Sequence, residues 1–213
     1  MHIAVIGGTF NPIHFGHLRV AEEAREALGL DRVLFIPVNL PPHKDDPSLP
    51  DAVARLDMVR LAIEGNPGFE SSDMEIRRGG RSFTIDTVKE LRGGGNGPRV
   101  SLIIGNDSFN DITMWCEYEE LLRLASFIIV PRPGYPVKKP AEVLPVELAR
   151  KFWYDSASGS YMNSEGNSLT YLGVTLLDIS SSDIRERLVR GGSVRYLMPQ
   201  SVIGYVRENG LYR

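Results

Sequence analysis

Two histidines, His14 and His17, stand three residues apart behind a pair of glycines, a spacing that could direct both imidazoles at one anion. They end the stretch GGTFNPIHFGH, residues 7–17, which follows the apolar run Ile3–Ile6. An apolar run bounded by glycine is typical of a buried parallel strand, and glycine lets a phosphate approach the backbone because no Cβ intervenes. Residues three apart on a first helical turn share one face, and the N–H groups there also favour anions. The stretch therefore predicts a strand, a glycine turn and a helix start that together bind phosphate.

A second candidate phosphate-binding segment, ISSSDIR, lies far along the chain at residues 179–185. A run of hydroxyl residues that opens a helix offers side-chain and backbone donors, and Arg185, one helical turn further, can bind two phosphate oxygens at once. Taken alone, the same pattern also fits an ordinary serine cap followed by a surface arginine. Neither the P-loop pattern GxxxxGK[ST] nor the dinucleotide pattern GxGxxG matches the glycine stretch, which excludes those two common phosphate loops.

The composition is that of an ordinary globular protein and argues against several classes of function. The chain has 213 residues, enough for one domain with its own core, and its formal net charge of −3 gives no sign of a basic surface for nucleic acid. Cys116 is the single cysteine, so an intrachain disulfide is impossible and a reducing compartment is favoured. No apolar run approaches the roughly 18 residues of a membrane span, and no signal-peptide pattern opens the chain. We therefore expect a cytoplasmic protein with neither a membrane nor a nucleic-acid partner, and homo-oligomers are left open.

Apolar runs alternate with helical patterns along most of the chain. Strands are expected at residues 3–6, 33–36, 100–104, 126–130 and 171–177, with a weaker one over 69–76. Helices are expected at residues 18–28, 56–65, 83–91, 148–153, 182–190 and 199–209. Loops are expected over the proline-rich residues 37–47 and the polar residues 155–170.

This alternation predicts an α/β fold, a Rossmann-like, doubly wound parallel sheet with helices on both faces. We expect a single domain of residues 1–213, with the parallel core in 1–178 and C-terminal helices in 179–213. Ligands of such sheets bind beyond the carboxyl ends of the strands. The segments that follow the predicted strands should therefore converge on one crevice.

Both phosphate-binding candidates resemble motifs of a known superfamily. GGTFNPIHFGH resembles the (H/T)xGH signature of the nucleotidyltransferases, and ISSSDIR resembles their ISSTxxR motif, with Ser182 in place of threonine. The resemblance implies transfer of a nucleotide from a nucleoside triphosphate with release of pyrophosphate. It implies that His14, His17 and Arg185 are catalytic. The ATP-binding residues that it implies are Gly7, Gly8, Thr9, Phe10, His14, His17, Ser181, Ser182, Arg185 and Arg132.

Four further strings resemble one branch of that superfamily, the nicotinate-nucleotide adenylyltransferases. They are PPHK at residues 41–44, RSFTIDT at 81–87, the GND string at 105–107 followed by Trp115, and the tail from 192 to 212. The resemblance implies that ATP and nicotinate mononucleotide are joined into nicotinate adenine dinucleotide. The substrate-binding residues that it implies are Lys44, Thr84, Asp107 and Trp115, with the indole of Trp115 stacked on the pyridine ring.

The resemblance also bears on the metal and on alternatives. We expect Mg²⁺ to bridge the ATP phosphates without a dedicated set of protein ligands, because Mg²⁺ keeps several waters. Asn11 stands where the family usually has aspartate. From residue type alone, Trp115 could instead belong to the core, where we expect Trp153. The alternatives in function are a related nucleotidyltransferase that uses nicotinamide mononucleotide or phosphopantetheine, a non-catalytic nucleotide-binding module, and, less favoured, a fragment of a tRNA synthetase.

Overall fold

The structure is a computed structural model and describes residues 1–41 and 49–212. Its strands are β1 His2–Gly8, β2 Arg32–Pro37, β3 Phe69–Ser71, β4 Arg99–Gly105, β5 Ser126–Val130, β6 Trp153–Asp155, β7 Ser160–Met162 and β8 Ser168–Tyr171. Its α-helices are α1 Phe15–Ala27, α2 Ala52–Ile63, α3 Met74–Arg78, α4 Thr84–Arg92, α5 Asn106–Asn110, α6 Tyr118–Leu124, α7 Pro140–Val143, α8 Val146–Ala149, α9 Ser181–Val189 and α10 Gln200–Glu208. Short 3₁₀ segments lie at Gly93–Gly95 and Ile112–Met114.

The strands form one sheet in the order β3-β2-β1-β4-β5-β8-β7-β6. Pairing is parallel from β3 to β8 and antiparallel between β8, β7 and β6. Strand β5 is buried along its whole length and β2 is buried after its first residue, as a sheet covered by helices on both faces requires. The predicted α/β fold with a mostly parallel sheet is therefore confirmed, with an antiparallel hairpin added at one edge.

The carboxyl ends of four parallel strands meet at one edge of the sheet. Gly8 at the end of β1 pairs with Pro37 of β2, and Gly105 at the end of β4 pairs with Val130 of β5. The chain continues from β1 to β2 on one side and returns to β4 on the other, so the strand order reverses between β1 and β4. A crevice opens at such a point, and it is the usual ligand site of open α/β sheets.

Two apolar clusters lie on opposite faces of the sheet. One joins α1 and α2 to the C-terminal helices, with Ala21 and Met58 packed together with Ile184 and Val202. The other lies under helices α4 to α8 and includes Phe109. Helices α9 and α10 contribute to the same apolar cluster as α1. The expected division of the domain into a parallel core and C-terminal helices near residue 178 stays a prediction. Within the described ranges, no helix is both long enough and apolar enough to cross a membrane.

Residues 155–170, expected to form a loop, instead contain part of a β-hairpin formed by β7 and β8. The Ser160 and Thr170 hydroxyls lie 2.8 Å apart across it. In its turn, Asn163 is buried, accepts the Asn167 N–H at 2.9 Å through Oδ1 and donates to Leu122 O at 3.2 Å. The loop prediction was wrong because Ser and Asn side chains, whose abundance is typical of loops, here stabilise two short strands and their turn.

Three other expectations also differ from the structure. Trp153, expected in the core, is 54% exposed because it lies on the edge strand β6. The strand expected over 171–177 ends at Tyr171, and residues 172–180 form neither strand nor helix. The weak strand expected over 69–76 is only three residues long, and α3 follows it, with Met74 turned into the core.

Candidate active site

Gly7 and Gly8 are the last residues of β1, paired with Ile36 and Pro37, and do not form a turn after it. Neither has a φ in the left-handed region, and a Cβ at Gly8 would meet only the Phe10 ring, at an ordinary contact distance of 3.7 Å. The protein's own packing therefore does not require glycine here. Both residues line a cavity, so the absent side chains leave space on the ligand side.

The two histidines lie at the start of α1 with their ring centroids 3.8 Å apart. The backbone N–H of His14 donates to Nδ1 of His17 at 3.2 Å. Because Nδ1 accepts this bond, the ring proton of neutral His17 belongs on Nε2, where it can be donated to a ligand. The ring of Phe10 packs edge-on against His17 at 5.2 Å. A Cβ at Gly16 would lie only 3.0 Å from the His14 ring, so glycine there leaves room for the imidazole.

Both imidazoles are neutral in the free protein at neutral pH. Burial lowers the pKa of His14 to about 4, and Nδ1 of this ring is buried with no hydrogen-bond partner in the described part of the chain. Burial, the neighbouring His14 and the positive charge of Arg132 together hold the pKa of His17 well below its ordinary value. A bound polyphosphate would raise both pKa values, because an anion favours the protonated imidazole. The two imidazoles are therefore neutral without ligand and more easily protonated once an anion is bound.

Helix α9 packs directly against the loop that carries the histidines. Nη1 of Arg185 donates to the carbonyl of Asn11 at 2.8 Å, and Oγ of Ser181 donates to the carbonyl of Pro12 at 2.9 Å. Nη2 of Arg185 also lies 3.4 Å from Oγ of Ser182. The structure thus brings the two predicted phosphate-binding segments to one side of the molecule.

The three serines at the start of α9 have different partners. Oγ of Ser180 caps the helix by accepting the Asp183 N–H at 3.1 Å, and the Ser181 hydroxyl is occupied by Pro12. The Ser182 side chain is exposed. The first N–H groups of a helix have no partner within it. The donors that α9 can offer to a phosphate are therefore the N–H groups of Ser181 and Ser182, the Ser182 hydroxyl and the Arg185 guanidinium.

Arg132, in the loop that follows β5, forms an ion pair with Asp107, in the first turn of the helix α5 that follows β4. Asn106, which is 1% exposed, fixes the Arg132 loop, since its Oδ1 accepts the Arg132 N–H at 2.7 Å and its Nδ2 donates to Tyr135 O at 2.9 Å. A Cβ at Gly105 would collide with the Asp107 carboxylate. Asp107 and Arg132 were predicted from the sequence as site residues, whereas Asn106 was not. The only indication of its role in the sequence is its place between Gly105 and Asp107 in the GND string.

A cavity of about 390 Å³ lies beside Gly7 and Gly8. Its lining residues are Val5, Gly7, Gly8, Val38, Glu75, Ser82, Phe83, Thr84, Thr87, Leu102, Ile103, Ile104, Met114, Trp115 and Cys116. Trp115 and Thr84, two of the predicted substrate-binding residues, both line it. Asp107 is not part of this lining, and Lys44 lies outside the described residues. The cavity is largely apolar with polar groups at a few points, as small-molecule sites usually are.

Glu75 is a buried carboxyl group in the cavity wall that sequence reasoning missed. Its Oε1 accepts the Thr87 hydroxyl at 2.6 Å, and Nη2 of Arg78 donates to the same hydroxyl at 2.9 Å. Its Oε2 is buried and has no hydrogen-bond partner among residues 1–41 and 49–212. Burial raises the pKa of Glu75, and the hydrogen bond from Thr87 partly offsets that rise.

Among the described residues, acidic side chains do not form a metal-binding cluster at this edge of the sheet. Over the part of the chain that the structure describes, no group of three or more His, Cys, Asp or Glu side chains could hold a metal ion. The side chains around the histidines and α9 are instead suited to donate hydrogen bonds to phosphate.

A parallel α/β sheet with clustered hydrogen-bond donors at its switch point is the architecture of a nucleotide-binding protein. The sequence model of the cytidylyltransferase-like family matches residues 5–187. A Citrifermentans bemidjiense protein named "Probable nicotinate-nucleotide adenylyltransferase" is 49% identical over 212 residues, which cover all of this chain and 98% of that protein. A protein of the same name from Trichlorobacter lovleyi is 44% identical over 213 residues, which cover both chains completely.

The comparison with solved structures agrees with the fold. A Plasmodium falciparum nicotinic acid mononucleotide adenylyltransferase complexed with NaAD superimposes with a TM-score of 0.73 at 19% identity, covering 99% of this chain and 97% of that one. The chain belongs to the cytidylyltransferase-like family and, within it, to the nicotinate-nucleotide adenylyltransferases.

Proposed function

We propose that this protein transfers the AMP part of ATP to nicotinate mononucleotide, giving nicotinate adenine dinucleotide and pyrophosphate, a step of NAD biosynthesis. Membership of the family supports the reaction, and full-length relatives with 40–49% identity carry its name. The assignment of individual residues to this reaction is our own. It depends on how the two phosphate-binding segments and the adjoining cavity are arranged.

The single observation that carries the assignment is the 2.8 Å hydrogen bond from Arg185 Nη1 to Asn11 O. It ties the second phosphate-binding segment to the loop that carries His14 and His17. Although Arg185 and Asn11 are 174 residues apart in sequence, the two segments that contain them can therefore act on one bound triphosphate. The histidines would contact the α-phosphate, and Arg185 with the start of α9 would contact the β- and γ-phosphates.

The reaction requires positioning and charge stabilisation more than a strong base. The mononucleotide phosphate has a second pKa of about 6, so it is already a nucleophilic anion at neutral pH. One of its oxygens attacks the α-phosphorus of ATP in line, a new P–O bond forms, and the bond from the α-phosphorus to the bridging oxygen breaks. The electron pair leaves with pyrophosphate. Catalysis then depends on alignment of the two substrates and on donors aimed at the developing charge.

The charged and neutral donors of the site suit different parts of that step. His17 presents Nε2–H, and the hydrogen bond that it donates to the α-phosphate oxygens becomes stronger as negative charge builds on them. Arg185 carries a permanent charge that suits the departing pyrophosphate. Arg132 is held by Asp107 and Asn106 near enough to His17 to affect its pKa, so it can approach the same triphosphate.

The cavity would receive the pyridine ring of the mononucleotide. Trp115 offers an aromatic face for a planar heterocycle. Thr84, also in the wall, is the first residue of α4, and a helix N-terminus favours a negative charge. This favours the carboxylate of nicotinate over the neutral amide of nicotinamide.

Nucleotidyltransferases of this kind generally use a divalent metal with ATP. We propose Mg²⁺, held mainly by phosphate oxygens and water, since the described residues provide phosphate donors and no acidic cluster. When bound, the ion neutralises part of the triphosphate charge.

An acceptor panel tests this function. The purified protein is mixed with ATP, Mg²⁺ and, separately, nicotinate mononucleotide, nicotinamide mononucleotide or phosphopantetheine, and both pyrophosphate and the joined product are quantified. We expect the highest kcat/KM with nicotinate mononucleotide. Faster reaction with phosphopantetheine, or no pyrophosphate with any acceptor, would refute the proposal.

A further inference from the structure

Arg55 on α2 is the most unusual buried residue near the site. It is 1% exposed and is the largest of the fully buried side chains. It makes no ion pair with any carboxylate in the part of the chain that the structure describes. Burial of a charge is unfavourable, and an apolar residue of similar volume usually stabilises a core at least as well. The stability of the core therefore does not explain an arginine at this position.

The guanidinium of Arg55 donates to three carbonyl groups from three separate segments. Nη1 donates to Thr9 at 2.9 Å, Nη2 to Asn39 at 3.0 Å and Nε to Pro50 at 3.0 Å. Thr9 belongs to the loop before the histidines, and Asn39 to the loop after β2. A planar group with five fixed donors can satisfy three acceptors at once, which the single ammonium of lysine cannot do in the same geometry.

Asn39 carries the connection onward to the cavity. Its N–H donates to Oγ of Ser82 at 3.0 Å, and its Nδ2 donates to the carbonyl of Gly80 at 2.9 Å. Ser82 lines the cavity and directly precedes Phe83 and Thr84, which line it too. A continuous set of hydrogen bonds therefore runs from the Thr9 loop, part of the predicted ATP site, through Arg55 and Asn39 to the cavity that we assign to the mononucleotide.

We infer that Arg55 is a positioning residue that sets the separation of the two substrates. It does so by fixing the Thr9 loop relative to Asn39 and to Ser82, which is hydrogen-bonded to Asn39. This inference rests on the proposed function. Arg55 does not line the cavity, and it contacts the predicted ATP site only through the backbone carbonyl of Thr9, so each substrate can still bind alone when the connection is lost. What is lost is the alignment of the attacking phosphate with the α-phosphorus, and a misplacement of about 1 Å can cost about a hundredfold in rate.

The test compares R55K with wild type, with R92K as the matched control. Arg92 also donates to a backbone carbonyl, that of Leu124 at 2.7 Å, at the far end of α4 from the cavity. For R55K we expect kcat, normalised to folded protein, to fall by about thirtyfold or more, while the separate Kd values of ATP and nicotinate mononucleotide change by less than about threefold. The affinity for nicotinate adenine dinucleotide, which must occupy both sites at once, should fall by about tenfold or more. R92K should leave all four quantities near the wild-type values.

Two results would overturn the inference. One is an R55K enzyme with normal kcat and normal dinucleotide affinity. The other is a loss of affinity for one substrate alone that equals the loss of kcat, since Arg55 would then support a single site. N39A, which removes the hydrogen bond from Nδ2 of Asn39 to the Gly80 carbonyl outside the cavity lining, provides a second variant in which the charge of Arg55 is untouched, and it should show the same separation of effects. Failure of the wild type to form the dinucleotide would instead refute the proposed function.

Discussion

The neutral histidine pair predicts a specific dependence of stability on pH, which the substitution His14→Asn isolates. His14 is the N-cap residue of α1, and asparagine is among the best N-cap residues, so the helix start is preserved. Burial lowers the pKa of His14 to about 4 in the folded protein, whereas the unfolded chain has the ordinary value. The unfolded state therefore binds a proton on His14 as the pH falls below 6.5, and the folded state does not until about pH 4.

The size of the effect follows from this difference in pKa. A pKa of about 4 in the folded protein, against 6.5 in the unfolded chain, corresponds to about 3 kcal/mol of unfolding free energy, lost in wild type as the pH falls from 7 to 4. The variant lacks this titration and escapes the loss. Groups other than the neighbouring His17, whose pKa His14 helps to lower, titrate alike in both proteins and cancel in the difference.

Urea unfolding of both proteins at a series of pH values measures that difference. We expect the unfolding free energy of wild type minus that of His14→Asn to be constant above pH 7 and to fall by about 3 kcal/mol by pH 4. The constant region serves as the internal control. Parallel curves over the whole range would mean that His14 titrates normally in the folded protein, and the argument for a neutral imidazole pair would fail.

Three further substitutions test individual parts of the site. H17A should lower kcat by about a hundredfold, the scale for loss of a donor to the transition state, and a near-normal rate in steady-state assays would exclude that role. W115A should raise the KM for nicotinate mononucleotide by about tenfold because stacking on the pyridine ring is lost, with kcat much less affected. A lowered Tm with an unchanged KM would show that Trp115 belongs to the core. G8A should fold with a Tm close to wild type, because a Cβ there makes only ordinary contacts, yet kcat/KM for ATP should fall by about tenfold or more; unchanged activity would show that no ligand needs that space.

The parallel part of the fold could be predicted because its strands are short apolar runs that end at glycine or proline. Val100–Ile104 and Ser126–Val130 are examples, and the structure extends the first by one residue at each end and reproduces the second. The hairpin of β7 and β8 was not predicted because it depends on hydrogen bonds between Ser160 and Thr170 and on the buried Asn163, which resemble loop residues in sequence.

The candidate site divides in the same way. Residues in local motifs, such as His14, His17 and Arg185, were predicted as site residues from their spacing and from the family resemblance, and the structure places the segments that contain them in contact. Arg55 could not be named, because it lies between apolar residues of an ordinary helical pattern and its partner Thr9 is 46 residues away. Its role depends on burial and on the meeting of three loops, and neither leaves a local pattern in the sequence.

A crystal structure of the complex with a non-hydrolysable ATP analogue and Mg²⁺ tests most directly whether the two phosphate-binding segments act on one triphosphate. We expect Nε2 of His17 within about 3.2 Å of an α-phosphate oxygen, and the Arg185 guanidinium within hydrogen-bond distance of a β- or γ-phosphate oxygen of the same molecule. A triphosphate that contacts only one of these two segments would contradict the account.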